Sequence, residues 1–169
     1  MARGTIAGEQ PRWLTDTEQR AWRSYLRGGH LVMEALDRDL TPYGISLSEY
    51  EIISMLSEEP QRRMRMSELA QIVVQSRSRL THTANRLADR GWVTREPCPD
   101  DRRGVLLVLT SDGFAMVQVL APVHLASVRA NLLDLLTADQ FEDLGTAMEV
   151  LRRHHAGEGD GPMPGGGAG

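Results

Sequence analysis

Residues 76–109, SRSRLTHTANRLADRGWVTREPCPDDRRGVLLVL, decide the fold. The stretch opens as a helix of about Ser76–Arg90, because Leu80, Ala84 and Leu87 recur at i, i+4 and i+7, the spacing of one buried face. Gly91 stands where a helix needs a left-handed residue just past its end. The period then changes. Trp92-Val93-Thr94 and Val105 to Leu109 are strand-like, and the polar, Pro- and Gly-bearing segment from Arg95 to Gly104 is predicted as a long hairpin loop between them. Away from its apolar face the helix offers Ser76, Arg77, Ser78, Arg79, Thr81 and His82, and the hairpin tip carries Arg102 and Arg103.

Upstream of this stretch, Met66 to Val73 is predicted as a short helix after a basic turn, Gln61 to Arg65. Ser46 with Glu49 is a capping box before Tyr50, Ile53 and Leu56, which mark a helix that stops ahead of Pro60. Thr15 with Glu18 is another capping box and opens a long helix. Trp22, Leu26, Met33, Leu36 and Leu40 fall on one side of it, and Pro42 and Gly44 end it. Downstream, Thr110 is an N-cap for a helix running to about Leu136, with Pro122 expected to kink or break it. Thr137 with Gln140 opens a last helix, along which Phe141, Leu144, Met148 and Leu151 form an apolar seam. No internal repeat is present.

A helix, a turn, a second helix and a hairpin with a basic tip suit double-stranded DNA. The N-terminal half of a recognition helix reaches base edges in the major groove, and a helix N-terminus favours phosphate. Arg102 and Arg103 at a hairpin tip have the shape and charge to enter an adjacent minor groove. The charge pattern agrees. The 169 residues carry a net charge of −4, yet residues 61–103 hold 10 arginines against 5 acids, while residues 1–60 hold 6 against 10 and residues 104–169 hold 3 against 8. All 19 basic residues are arginine, a bias that GC-rich coding explains better than any site does.

Composition limits the other classes. The chain is 41% hydrophobic and 25% charged, so it can bury a core. No unbroken apolar run approaches the roughly 18 residues of a membrane span, and MARGTIAGEQPRW has no signal-peptide core, so a cytoplasmic protein with no membrane partner is expected. Cys98 is the single cysteine, which excludes an intrachain disulfide and a multi-cysteine zinc site. His30, His124, His154 and His155 make no metal pattern, and there is no nucleophile elbow, P-loop or Gly-rich phosphate cradle. Hence no metal, no cofactor and no catalytic residue are expected.

Five blocks carry a resemblance to a known family: Met66-Ser67-Glu68-Leu69-Ala70, Ser76-Arg77-Ser78-Arg79-Leu80-Thr81, Arg86-Leu87-Ala88-Asp89-Arg90-Gly91-Trp92-Val93, Asp100-Asp101-Arg102-Arg103-Gly104 and Leu109-Thr110-Ser111-Asp112-Gly113. Residues 47–113 resemble the winged helix-turn-helix of MarR-type (multiple antibiotic resistance) regulators, and the likeness extends over about residues 15–153. The fold class it implies is mainly α with a small β wing, the DNA-binding domain being flanked by N- and C-terminal dimerisation helices. The expected division is a flexible N-terminus over 1–14, an N-terminal dimerisation helix region over 15–45, the winged helix-turn-helix over 46–109, C-terminal dimerisation helices over 110–155, and a disordered Gly/Pro-rich tail over 156–169.

The resemblance implies roles for particular residues. Arg77, Ser78, Arg79, Thr81 and His82 would face the major groove, Arg86 would lie near phosphate, Arg103 would enter the minor groove, and Asp101 would brace the wing by pairing with an arginine. A homodimer would use the seam Phe141, Leu144, Met148 and Leu151 and read a pseudo-palindromic operator. The family implies a ligand-responsive repressor of transcription. Trp22, Tyr25, His30, Met33, Tyr43 and Met55 are candidates to line the pocket of a small-molecule effector, although core or dimer packing is the better explanation of any one of them. Cys98, between two prolines, is read as incidental rather than as an oxidant sensor. Two other classes remain: a winged-helix protein-interaction module without DNA binding, which neutral or acidic residues on the recognition helix would mark, and the dimerisation domain of a larger enzyme.

Overall fold

Each helix start predicted from a polar residue three ahead of its partner is formed. In the computed structural model, which describes residues 11–73, 76–99 and 101–156, the backbone N–H of Glu18 donates to Thr15 Oγ1 at 3.3 Å and that of Thr15 to Glu18 Oε2 at 2.8 Å, opening α1 (Asp16–Leu40). A 3-10 turn at Thr41–Tyr43 and the left-handed Gly44 lead to a second capping box, Ser46 with Glu49, and α2 (Leu47–Glu58). Then follow β1 (Arg63–Arg65), α3 (Met66–Ile72), α4 (Arg77–Asp89), β2 (Val93–Cys98), β3 (Asp101–Leu109), α5 (Ser111–Asn131), a 3-10 turn at Leu133–Leu135 and α6 (Ala138–Ala156). Thr110 caps α5, and Thr137 and Gln140 exchange bonds of 3.0 and 3.2 Å at the start of α6. Of the predicted N-terminal segment 1–14, residues 1–10 lie outside the described residues, as does all of the predicted tail 156–169 except Ala156, which ends α6.

The strands form one antiparallel sheet in the order β1-β3-β2. Its first strand stands where the sequence suggests only a basic turn. Arg62, at φ +51°, turns the chain and its carbonyl accepts the N–H of Leu109 at 2.8 Å, which sets Met64 opposite Leu107 inside the core. The predicted long loop is also mostly ladder. β2 runs to Cys98 and β3 starts at Asp101, with Pro97 opposite Val105 and a register shift beside it. Charged residues on both strands obscure the alternation that would have revealed them.

One core joins the elements. Leu40 of α1, Ile52 and Ile53 of α2, Leu69 of α3, Leu87 of α4, Leu107 of β3 and Leu120 of α5 are all fully buried, each side chain contributing about 1.5–3 kcal/mol of transfer free energy. α5 continues through Pro122 and ends at Asn131 instead of reaching Leu136. Pro122 cannot donate to the Gln118 carbonyl, but both residues lie on the exposed side, where water can bond that oxygen. The segment Ser111–Leu135 is long and apolar enough by composition to cross a membrane, although Gln118, His124 and Ser127 leave it without an unbroken apolar run. Here it packs against α1 and α2, with Val117, Leu120 and Ser127 buried.

Two apolar faces are left uncovered in the single chain. On α1 only Leu36 and Leu40 of the predicted stripe are buried, whereas Trp22, Leu26 and Met33 are about half exposed. On α6 Phe141 and Leu151 are exposed, and Leu144 and Met148 are half-buried.

Candidate nucleic-acid interface

α4 is amphipathic in the way a reading helix requires. Leu80, Ala84 and Leu87 are buried, and so is Thr83, whose hydroxyl donates to the Arg79 carbonyl at 3.1 Å. Ser78, Arg79, Thr81 and His82 are exposed on the opposite side. Ser76 acts within its own turn, where its Oγ accepts the Arg79 N–H at 3.3 Å and caps the helix. The side chains of Arg77, Arg102 and Arg103 lie outside the described residues; the backbone of Arg77 opens α4, and that of the other two lies in β3 near the hairpin turn.

The far end of α4 is closed by a left-handed glycine. Gly91, at φ +74°, donates to the Ala88 carbonyl at 2.8 Å, and Trp92 to that of Leu87 at 3.0 Å, the paired hydrogen bonds of a Schellman cap. Two exposed arginines of this end bond back to the α1–α2 junction. Arg86 Nε donates to Glu49 Oε1 at 3.0 Å, and Arg90 Nη1 donates to the Gly44 carbonyl at 2.6 Å while its guanidinium lies 4.9 Å from the Trp92 ring centre. Arg86, expected near phosphate, thus has an internal partner. Bonds from Ser46 and from Arg86 hold the Glu49 carboxyl below its ordinary pKa although burial alone would raise it.

Arginines that helical periodicity does not single out also lie around the wing. Arg95 Nη2 donates to the Thr81 carbonyl of α4 at 3.2 Å. Arg63 lies 3.8 Å from Glu96, and Arg65 Nη1 lies 3.7 Å from Asp101 Oδ2. Their sequence signal is the regional excess of arginine; the pairing of β1 with β3 brings Arg63 and Arg65 there, and Arg95 lies on β2. Two glycines, Gly104 in β3 and Gly113 in the first turn of α5, have steric reasons. A Cβ on Gly113 would run into the Trp92 carbonyl oxygen and lie 2.7 Å from Leu109 Cδ1, and one on Gly104 would lie 2.8 Å from Cys98 Sγ. Cys98 is itself buried, the last residue of β2 and not part of an open loop.

Beside α4 is a cleft of about 1310 Å³. Of the six candidate pocket residues, His30, Met33 and Met55 line it. Trp22, Tyr25 and Tyr43 do not, the first two stacking on each other at 5.8 Å. The cleft is also lined by Glu51 and by Arg79 of α4, which periodicity does not connect. Burial raises the Glu51 carboxyl above its ordinary pKa, and the Arg79 charge opposes that shift. A smaller cavity of about 170 Å³ shares Met33, Glu51 and Met55 and is bounded by His124. The His124 ring packs on Tyr50 at 4.6 Å, its Nδ1 is buried with no hydrogen-bond partner among the described residues, and burial lowers its pKa. Among the described residues, no group of three or more His, Cys, Asp or Glu side chains is arranged to hold a metal.

Two short helices followed by a β2–β3 hairpin, which β1 ahead of them completes to a three-stranded sheet, and all set between long helices, define a winged helix-turn-helix protein. The sequence model of the MarR family matches residues 43–104. The HTH-type transcriptional regulator PecS of Dickeya dadantii is 30% identical over 125 residues, 73% of this chain and 75% of that protein. AbsC, a MarR family transcriptional regulator from Streptomyces coelicolor, superposes with a TM-score of 0.81 at 44% identity, covering 85% of this chain and 97% of that one. Sco3205, a MarR family regulator of the same organism solved in complex with DNA, superposes with a TM-score of 0.84 at 39% identity, covering 89% of this chain and 95% of that one. The chain belongs to the MarR family of transcriptional regulators.

Proposed function

We propose that this regulator works in the cytoplasm as a homodimer that binds a pseudo-palindromic operator in double-stranded DNA and represses transcription until a small molecule releases it. The observation that carries the DNA reading is the solvent face of α4. Ser78, Arg79, Thr81 and His82 are exposed on it while the opposite face is core, so forks and hydroxyls are presented on a helix that packing holds rigid. The likeness to Sco3205, solved with DNA bound, supports the same reading. Arg77 extends this face by sequence position, and Arg102 and Arg103 belong to the wing tip. Apolar side chains left uncovered on α1 and α6, Phe141 and Leu151 among them, support the homodimer. Arg79 lines the cleft as well as the reading face, so an occupant touching it would change the charge offered to DNA. No catalytic step is proposed.

The test is a fluorescence-anisotropy titration against the upstream promoter duplex and a scrambled duplex at several salt concentrations, with an Arg77→Ala/Arg79→Ala variant alongside. Salt-sensitive binding that prefers the promoter is expected, with a loss of about 1–3 kcal/mol for each base contact removed. Equal, weak binding to both duplexes, and no sequence enriched from a random-site selection, would overturn the DNA reading and leave an interaction module.

A further inference from the structure

The segment from Gly44 to Glu49, which joins α1 to α2, is held from both sides. From α1, Asp37 Oδ1 accepts the N–H of Leu47 at 2.8 Å. From α4, Arg90 reaches the Gly44 carbonyl and Arg86 reaches Glu49. Glu49 is 3% exposed, and both its oxygens are used: Oε2 accepts the Ser46 N–H at 2.9 Å and the Ser46 hydroxyl at 3.0 Å, and Oε1 accepts Arg86 Nε. A buried carboxylate is tolerated only with such partners, so its geometry is well determined. Arg86 and Arg90 are four residues apart and therefore share one side of α4.

We infer that Glu49, gripped by Arg86 with Arg90 beside it, is a positioning residue for the recognition helix: it fixes the angle of α4 against the α1–α2 junction, and Arg86 acts through this clamp and not as a phosphate contact. The inference rests on the DNA-binding reading above. α1 carries the uncovered apolar face proposed for the dimer, so the junction is where the dimer scaffold meets the reader. A helix freed there keeps its arginines but loses their alignment with base edges, and so loses discrimination more than total affinity.

Glu49→Gln separates the two roles of Arg86. The amide oxygen can still accept from Ser46 and keep the α2 cap, but the amide nitrogen then faces Arg86 and the clamp is lost. Anisotropy on promoter and scrambled duplexes across salt, for wild type, Glu49→Gln, Arg86→Ala and the double variant, is read together with amide exchange over α4 without DNA. If the clamp positions the helix, each single variant lowers the promoter-to-scrambled preference about tenfold, the double variant is no worse than either, and the salt slope is unchanged. If Arg86 instead contacts phosphate, its loss reduces the slope by about one and weakens both duplexes alike, while Glu49→Gln leaves binding equal or tighter; that result overturns the inference. Should wild type prefer no duplex, the DNA reading fails separately, and exchange decides the clamp. Faster exchange around Arg86–Trp92 in Glu49→Gln supports it, and unchanged exchange overturns it.

Discussion

Asp39 of α1 and Ser127 of α5 are joined by a hydrogen bond of 2.6 Å, the Ser127 hydroxyl donating to Asp39 Oδ2. Asn131 Nδ2 reaches the same oxygen at 3.2 Å, and Ser127 is 5% exposed. This polar bridge ties the first long helix to the fifth above an otherwise apolar contact. Ser127→Ala removes its shorter arm, and because Asp39 keeps access to solvent the cost falls at the lower end for a charged hydrogen bond, about 1–2 kcal/mol. Urea unfolding should show a lower midpoint with an unchanged slope; an unchanged midpoint would mean that water replaces the bond without loss.

Gly113 sits where α5 leaves the wing, with the Trp92 carbonyl against the position of a Cβ. Backbone cannot swing aside as a side chain can. Gly113→Ala is therefore expected to cost about 1–3 kcal/mol, the range for overpacking. Gly104→Ala meets Cys98 Sγ and Cβ and the Asp101 carboxylate, side-chain atoms at 2.8 Å or more and no backbone, and should cost less. Thermal melts of the two variants give the comparison, and a Gly104 variant less stable than the Gly113 variant would contradict it.

His124 gives the fold a pH dependence of known sign. Its folded-state pKa lies below 6.5 because burial disfavours the charged ring. As pH falls below 6.5, the unfolded chain takes up a proton that the folded chain resists, so stability declines on the acid side. His124→Phe keeps an aromatic ring against Tyr50 and removes the unpartnered Nδ1. It should raise Tm at about pH 5.5 more than at about pH 7.5. Equal shifts at both values would show that the ring titrates alike in both states.

The uncovered faces predict an oligomer. Phe141→Glu with Leu151→Glu places two carboxylates on the α6 seam proposed for the dimer, where they would be desolvated. Sedimentation velocity at micromolar concentration should shift from dimer to monomer, with the helical circular dichroism retained. A variant that stays dimeric would move the interface to the uncovered face of α1.

Features of this protein whose partners are a few residues apart were legible in its sequence. Thr15 with Glu18, Ser46 with Glu49, and Gly91 after the last turn of α4 act within one turn of backbone, so spacing alone identifies them. The inner face Leu80, Ala84 and Leu87 is equally local, and it left the solvent face of α4 visible by subtraction. The strand β1 was not legible, since three residues carry no period and only the pairing of Arg63–Arg65 with β3 makes them a strand. The same holds for Arg86, whose partner Glu49 is 37 residues away, and for Glu51 and Arg79, which meet only across the cleft. Helix caps and apolar stripes are set by bonds and burial along the chain, whereas ion pairs and clefts depend on distances that chain folding alone creates. The sequence by itself therefore determined the two faces of α4, and only the tertiary structure decided that Arg86 bonds to Glu49 across the fold.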